Sequence, residues 1–120
     1  MTLCIYAPDV AALDAMANEI KISPTWTSDK DGILGWFLNT RDIDSVDLGE
    51  HLDFLLGALR GQNVDMNRIK EIGCSYRVSC FWSSVSGNGG PALQPKQMAA
   101  LASLDMELHF DLWFDPPEEE

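Results

Sequence analysis

The clearest secondary-structure signal in this 120-residue chain is a strand near its end, Met106-Glu-Leu-His-Phe-Asp-Leu-Trp-Phe-Asp115. Apolar and polar side chains alternate along it, and a period of two residues places them on opposite faces of a sheet. The side chains predicted to face the core are Met106, Leu108, Phe110, Leu112 and Phe114, and the outward ones are Glu107, His109, Asp111, Trp113 and Asp115. The stretch Cys74 to Ser83 alternates in the same way. Two such strands predict a sheet with one buried face and one partly open face.

The remaining apolar patterns predict two further strands and three helical regions. The strands are Thr2 to Ala7 and Ile33 to Thr40, and residues 22–32 are predicted to be a polar connection because no apolar period runs through them. One helix is predicted after the N-cap Asp9. A leucine-rich helical stretch begins near Ser45 to Asp47, ends at Gly61, resumes at Val64 and stops at Gly73. Another helix is predicted with Pro95 near its first turn.

The predicted fold class is α+β, with a single four-stranded sheet and the helices on one face of it. The element order β-α-β-(αα)-β-α-β resembles a ferredoxin-like fold with an inserted central helical segment. Residues 2–40 and 74–115 are each expected to form a strand-helix-strand unit with a right-handed crossover. No linker interrupts residues 1–115, so one domain is predicted, followed by an acidic tail over residues 116–120.

The charge balance narrows the function classes. Eight basic and nineteen acidic side chains give a net charge of −11 and a pI of about 4.3. Binding to nucleic-acid phosphates needs lysine and arginine to replace counterions, so a nucleic-acid partner is not expected. No apolar run approaches the roughly 18 residues of a membrane span, and no leader pattern is present. The sequence therefore predicts a cytoplasmic protein without a membrane partner.

The cysteines agree with that prediction. Three of them, Cys4, Cys74 and Cys80, cannot close into a disulfide framework. Cys74 and Cys80 lie about 20 Å apart along one strand and cannot bond to each other, so only a pairing with Cys4 stays open. No Cys-x-x-Cys pair is present and the two histidines are isolated, so no metal site is predicted.

Several stretches together resemble a known family. They are Asp47-Leu-Gly-Glu-His-Leu-Asp-Phe-Leu-Leu-Gly-Ala-Leu59, Phe81-Trp-Ser-Ser-Val-Ser-Gly-Asn-Gly-Gly-Pro91, the run Leu104 to Phe114, and Ile22-Ser-Pro-Thr25 ahead of a Lys-Asp-Gly turn. This set is similar to the bacterial domain of unknown function 4279 family over most of residues 2–115. The resemblance implies an α+β domain without an established activity, so it supplies no catalytic residues.

No catalytic constellation stands out, and the chain is predicted not to be an enzyme and to need no cofactor. His109 and Asp111 point outward about 7 Å apart, too far for proton transfer, and His51 is isolated on the central helix. Asp29-Lys-Asp-Gly32 does not place a carboxylate at the last position of a calcium loop. The acidic residues near Asp47 suit a helix N-terminus.

One glycine-rich loop is a candidate anion site. The loop Gly87-Asn88-Gly89-Gly90 precedes a helix, so its backbone N–H groups could bind an anion. It contains no lysine or arginine, and the alternative is a turn that requires positive φ angles.

Outward aromatic residues are the strongest binding signal. Phe81 and Trp113 fall on the faces opposite the apolar stripes of their strands, with Arg77, His109 and Asp111 beside them. Aromatic side chains rimmed by charged groups are typical of protein interfaces. Trp26, in the polar connection, is a further candidate anchor. The alternatives are a helix covering that face or a strand register displaced by one residue.

These features predict a non-enzymatic protein-binding domain. Its most concrete form is an immunity or inhibitor protein that neutralises a basic bacterial toxin such as a nuclease, because an acidic surface would steer association with a cationic cleft. The alternative is a small-molecule or metal-binding domain that uses the open sheet face or the glycine-rich loop. A homodimer that pairs the sheet faces would also explain the outward aromatic residues.

Overall fold

The computed structural model describes residues 1–43, 47–84 and 92–114, with the backbone alone for residues 83, 84, 113 and 114. Within these ranges the chain forms five strands and four helices: β1 (Thr2–Ala7), α1 (Val10–Ile20), β2 (Trp26–Lys30), β3 (Ile33–Asn39), α2 (Leu48–Gly61), α3 (Met66–Ile72), β4 (Ser75–Ser84), α4 (Pro95–Ser103) and β5 (Glu107–Phe114). The mixed α+β class predicted from the sequence is confirmed.

The strands form one sheet in the order β2-β3-β1-β4-β5. The central strand β1 is antiparallel to both of its neighbours, β3 and β4, while β4 and β5 are parallel and joined by α4. The prediction of four strands was therefore wrong, and so was the predicted arrangement of residues 2–40. Those residues place β3 between β1 and β2, which is a split β-α-β unit rather than a simple crossover.

The missed strand is β2, which lies in the stretch predicted to be a polar connection. Asp31 and Gly32 link β2 to β3 with φ angles of 55° and 83°, the left-handed values that a two-residue hairpin turn needs. β2 is an edge strand whose side chains are mostly exposed. It therefore needs no apolar stripe, which is why periodicity alone did not reveal it.

A single core lies between the sheet and the helices, which all pack on one face. α1 packs against α3, and α2 against α4. The buried side chains of this core include Leu3, Ile5, Trp36 and Val78 from the strands, and Met16, Ile20, Leu52, Leu55, Ile69 and Leu101 from the helices. The opposite face of the sheet receives no helix from the described residues.

The predicted helix boundaries are largely confirmed. The Asp9 side chain accepts a hydrogen bond of 2.8 Å from the Ala12 backbone N–H, as expected of an N-cap. α2 ends at Gly61, and Gly73 ends α3 with a φ of 106°, a conformation that glycine adopts without steric cost. The central helix was predicted to begin near Ser45 to Asp47, and Asp47 is the N-cap of α2. The glycine-rich loop 87–90 and the acidic tail 116–120 lie outside the described residues.

The last strand differs from its prediction in one respect. Met106 is buried and Leu108 is half-buried, but Phe110 and Leu112 are 42% and 44% exposed. β1 pairs with β4 only as far as Ser79, so beyond it β4 pairs with β5 alone. The alternation predicted the right faces, but no described helix covers this far end of the sheet.

Candidate interaction face

The strand register defines a row of residues that crosses all five strands. Trp26 pairs with Phe37, Phe37 with Cys4, Cys4 with Arg77, and Arg77 with Glu107. Directly paired residues point to the same side of a sheet. The next row in β1 contains the core residue Leu3, so this row lies on the side away from the helices. We call that side the open face.

Three aromatic rings form a continuous surface on the open face, which we call the aromatic shelf: Trp26, Phe37 and Tyr6. The rings of Trp26 and Phe37 are stacked, with centroids 5.2 Å apart and an interplanar angle of 18°. Phe37 and Tyr6 meet edge to face at 5.8 Å and 82°. Trp26 is 42% exposed and the other two rings are partly exposed. Both geometries are favourable for aromatic pairs, so the shelf has a defined shape before any partner arrives.

Gly35 allows this arrangement. A Cβ atom at Gly35 would lie 2.6 Å from the edge of the Phe37 ring and 2.6 Å from Oγ of Ser28. Carbon atoms pack at about 3.5–4 Å, so any larger residue would displace the ring. The glycine therefore lets the Phe37 ring lie against the strand surface beside Trp26 and Tyr6.

Arg77 borders the shelf on the side of β4. Its Cζ lies 5.6 Å from the centroid of the Tyr6 ring, and its Nη2 is 3.5 Å from the Tyr6 hydroxyl oxygen. Its Nε is buried and has no hydrogen-bond partner within the described part of the chain. No carboxylate of those residues forms an ion pair with this guanidinium. A guanidinium over an aromatic ring at a partly exposed position is suited to binding a carboxylate or another anion.

Cys4 lies beneath this cation and is buried. Burial raises the pKa of the Cys4 thiol, while contacts with Tyr6 and Arg77 act in the opposite direction. Since the net effect is a raised pKa, the group is a neutral thiol at pH 7 and not an activated nucleophile. The open face thus has no cysteine chemistry at this position.

The β5 side of the open face is acidic and less compact. Glu107 accepts a hydrogen bond of 2.8 Å from Nε2 of His109, and His109 pairs with Ser79 in the register. Phe81, opposite Asp111, is 63% exposed. The backbone of Trp113 lies opposite that of Ser83, while the Trp113 side chain is outside the described part.

The five predicted site residues whose side chains the structure describes lie on one face. These are Phe81, Arg77, His109, Asp111 and Trp26. The alternation of β4 and β5 predicted this for four of them, whereas Trp26 lies on that face because the stretch predicted to be a polar connection forms β2. The five residues do not form one cluster. Trp26 and Arg77 occupy the same row but are separated by three strand spacings, about 14 Å. Phe81 lies four residues, about 13 Å, along β4 from Arg77.

Phe37 and Tyr6, which connect Trp26 to Arg77, were not among the predicted residues. β3 reads Ile-Leu-Gly-Trp-Phe-Leu-Asn, an almost continuous apolar run in which the two faces cannot be distinguished. The Asp31-Gly32 turn was the available signal, because a hairpin there pairs Trp26 with Phe37.

The described residues offer little alternative chemistry. Among them no three histidine, cysteine or acidic side chains lie close enough to hold a metal ion, and no helix is long and apolar enough to cross a membrane. Cys4, Cys74 and Cys80 are all buried free thiols. A groove of about 390 Å³ lies on the helix side between α1 and β2, next to the buried Trp36.

The fold and the open face define a mixed α+β domain with helices on one side of a five-stranded sheet and aromatic residues on the other. The chain belongs to the family described as a domain of unknown function (DUF4279), whose family model matches residues 1–115. A search of the curated proteins and a search of the solved structures find no match.

Proposed function

We propose that this chain is a non-enzymatic, cytoplasmic protein-binding domain that docks a basic partner on its open face. The observation that carries the proposal is the aromatic shelf, which ends at the guanidinium of Arg77 on a face that no described helix covers. Within the described residues this guanidinium forms no ion pair. Exposed aromatic residues and arginine are the residue types that dominate binding energy at protein interfaces. The three buried free thiols support a reducing compartment.

Charge supports a basic partner. The chain carries a net charge of −11, and Glu107 and Asp111 border the open face at β5. Complementary charge accelerates association and weakens with added salt. In its most specific form the proposal is an immunity or inhibitor protein that covers the cationic cleft of a toxin such as a nuclease.

The experiment compares variants rather than wild type alone. Tagged wild type, Trp26→Ala, Phe81→Ala and the control Phe54→Ala are used to capture proteins from source-cell lysate at low and high salt. Phe54 is 48% exposed on α2, on the helix side, so it matches Phe81 in size and exposure. A basic protein retained by wild type and Phe54→Ala, lost with both open-face variants and lost at high salt supports the proposal. Equal retention by all four variants contradicts it.

The inhibitor form of the proposal is tested by measuring the activity of the captured protein. If the captured protein is a nuclease, adding wild type in equimolar amount should abolish its cleavage of nucleic acid, and Trp26→Ala should restore cleavage. Full nuclease activity in the complex would contradict the inhibitor form of the proposal, although protein binding itself would still hold.

The position of Arg77 supports a second candidate function, the binding of a small molecule on the open face. The guanidinium beside the Tyr6 ring suits an aromatic carboxylate, which could stack on the shelf and accept hydrogen bonds from Arg77. A saturable thermal shift with 2-naphthoate, absent with 2-naphthamide and with Arg77→Gln, would support this candidate. No shift with either compound would count against it.

A further inference from the structure

β5 is the last strand of the sheet, and its outer edge is unpaired within the described residues. It runs for eight residues, Glu107 to Phe114, without a proline or lysine. An edge strand presents a row of free N–H and C=O groups, and proteins normally protect such edges with those residues or with a covering segment. This edge is a site at which another strand can add to the sheet.

The side chains of β5 give the edge a distinct pattern. Leu108, Phe110 and Leu112 point to the helix side, where Phe110 and Leu112 are largely exposed. Glu107, His109 and Asp111 point to the open face. His109 uses Nε2 to bond Glu107, and its Nδ1 has no partner within the described part of the chain.

We propose that β5 pairs antiparallel with β5 of a second copy of this chain, about a two-fold axis that passes between the Phe110 residues of the two copies. In that register Phe110 faces Phe110 of the second copy, and Leu108 faces Leu112. His109 faces Asp111 of the second copy, and the symmetry creates this pair twice. The pairing joins apolar to apolar and imidazole to carboxylate along the strand.

Charge complementarity selects this register over its neighbours. A two-fold axis placed midway between two successive positions would pair the apolar residues of one copy with the polar residues of the other. Registers that keep both apolar stripes on the helix side are therefore centred on one residue position. Centring on His109 places Glu107 opposite Asp111 of the second copy. Centring on Asp111 places the two Asp111 carboxylates opposite each other. Like charges directly opposite are destabilising, so the Phe110 centre is favoured over both adjacent centres. Centring on Leu108 or Leu112 pairs fewer residues, because β5 runs only from Glu107 to Phe114.

The consequence goes beyond the partner-binding proposal. The pairing forms a continuous ten-stranded sheet in which paired side chains share a face. Both open faces therefore lie on the same side, with the two aromatic shelves at opposite ends of it. A single strand pair is a small interface, so we expect a concentration-dependent dimer rather than an obligate one.

Sedimentation equilibrium over increasing protein concentration tests the dimer. We expect wild type to convert from monomer to dimer, more readily at physiological than at low salt, because repulsion between two chains of net charge −11 is then screened. His109→Asp should weaken the dimer about tenfold, since both imidazole-carboxylate pairs become like-charge pairs. The double variant His109→Asp/Asp111→His exchanges the two groups and should restore the dimer.

Disulfide trapping tests the register. Phe110→Cys, made together with Cys80→Ser because Cys80 is paired with residue 110 across β4 and would compete for the new thiol, should form a covalent dimer on mild oxidation. Paired Cα atoms in antiparallel strands lie about 5 Å apart, within the range of a disulfide. Leu108→Cys should not, since it faces position 112 of the second copy. Wild type controls for the three buried native thiols, and circular dichroism checks that each variant is folded.

Three results would overturn the inference. The first is a monomer at every protein concentration up to about 1 mM. A dissociation constant of that size would correspond to only about 4 kcal/mol of binding free energy. The second is a dimer that His109→Asp does not weaken. The third is trapping of Leu108→Cys as readily as Phe110→Cys. None of them bears on binding of a basic partner to the open face of the monomer, so the two proposals fail separately.

Discussion

Glu107 lies directly opposite Arg77 across β5 and β4, yet its carboxylate bonds Nε2 of His109 and not the guanidinium. In a chain with nineteen acidic and eight basic side chains, a half-buried arginine without an ion pair in the described residues is unexpected. The guanidinium instead contacts the Tyr6 ring and leaves Nε unpartnered. Within the described part of the chain, no carboxylate neutralises Arg77.

Arg77→Met should leave the stability of the fold nearly unchanged. The substitution removes a cation-π contact but also a buried donor without a partner, so we expect the free energy of unfolding to change by no more than about 1 kcal/mol. Urea denaturation measures this change. A loss above about 3 kcal/mol would show that Arg77 is needed for the fold.

Gly35→Ala should destabilise the sheet. The added Cβ would overlap the Phe37 ring and Ser28 Oγ, and overpacking of this kind costs about 1–3 kcal/mol. Gly57→Ala is the matched control, because nothing lies within 4 Å of a Cβ there and alanine favours the α2 helix by up to about 1 kcal/mol. Urea denaturation should show opposite signs for the two variants, and equal effects would contradict the role assigned to Gly35.

Leu52→Ala and Phe54→Ala should differ although they lie two residues apart on α2. Leu52 is completely buried, so its truncation leaves a cavity that costs about 2–5 kcal/mol. Phe54 is 48% exposed, and its truncation should cost only about 1 kcal/mol. Thermal unfolding measures both changes. Equal effects would place Phe54 in a packed environment that the described residues do not show.

Stability should fall at alkaline pH. Burial raises the pKa of the Cys74 thiol, and the nearby Asp9 carboxylate raises it further. The pKa of this thiol in the folded state is therefore above its unfolded value of about 8.5. The stability that the neutral thiol contributes is fully present below pH 8.5 and is lost as the pH rises towards the folded-state pKa. Cys74→Ala should therefore lose less unfolding free energy than wild type between pH 7.5 and 9.5, as measured by urea denaturation. The same loss in both proteins would contradict a raised pKa.

Local patterns in the sequence determined the β4 and β5 faces, the helix caps and the breaks at Gly61 and Gly73. Each depends on interactions within a few residues, such as alternation along a strand or a glycine with positive φ. The outward positions of Arg77 and Phe81 followed directly from that alternation. β2 was missed because an exposed edge strand carries no apolar period, although the Asp31-Gly32 turn signalled it.

Strand order is a property of the tertiary structure. The sequence could not show that β3 lies between β1 and β2, or that β1 stops pairing with β4 at Ser79, because both depend on contacts between distant segments. For the same reason the complete aromatic shelf could not be predicted: the Asp31-Gly32 turn signalled the pairing of Trp26 with Phe37, but only the pairing of β1 with β3 brings Tyr6 beside them. The sequence by itself determined which side chains of β4 and β5 point away from the core, through the two-residue period of those strands. Only the tertiary structure decided which of them are neighbours, since lateral pairing is set by packing of the whole sheet against its helices.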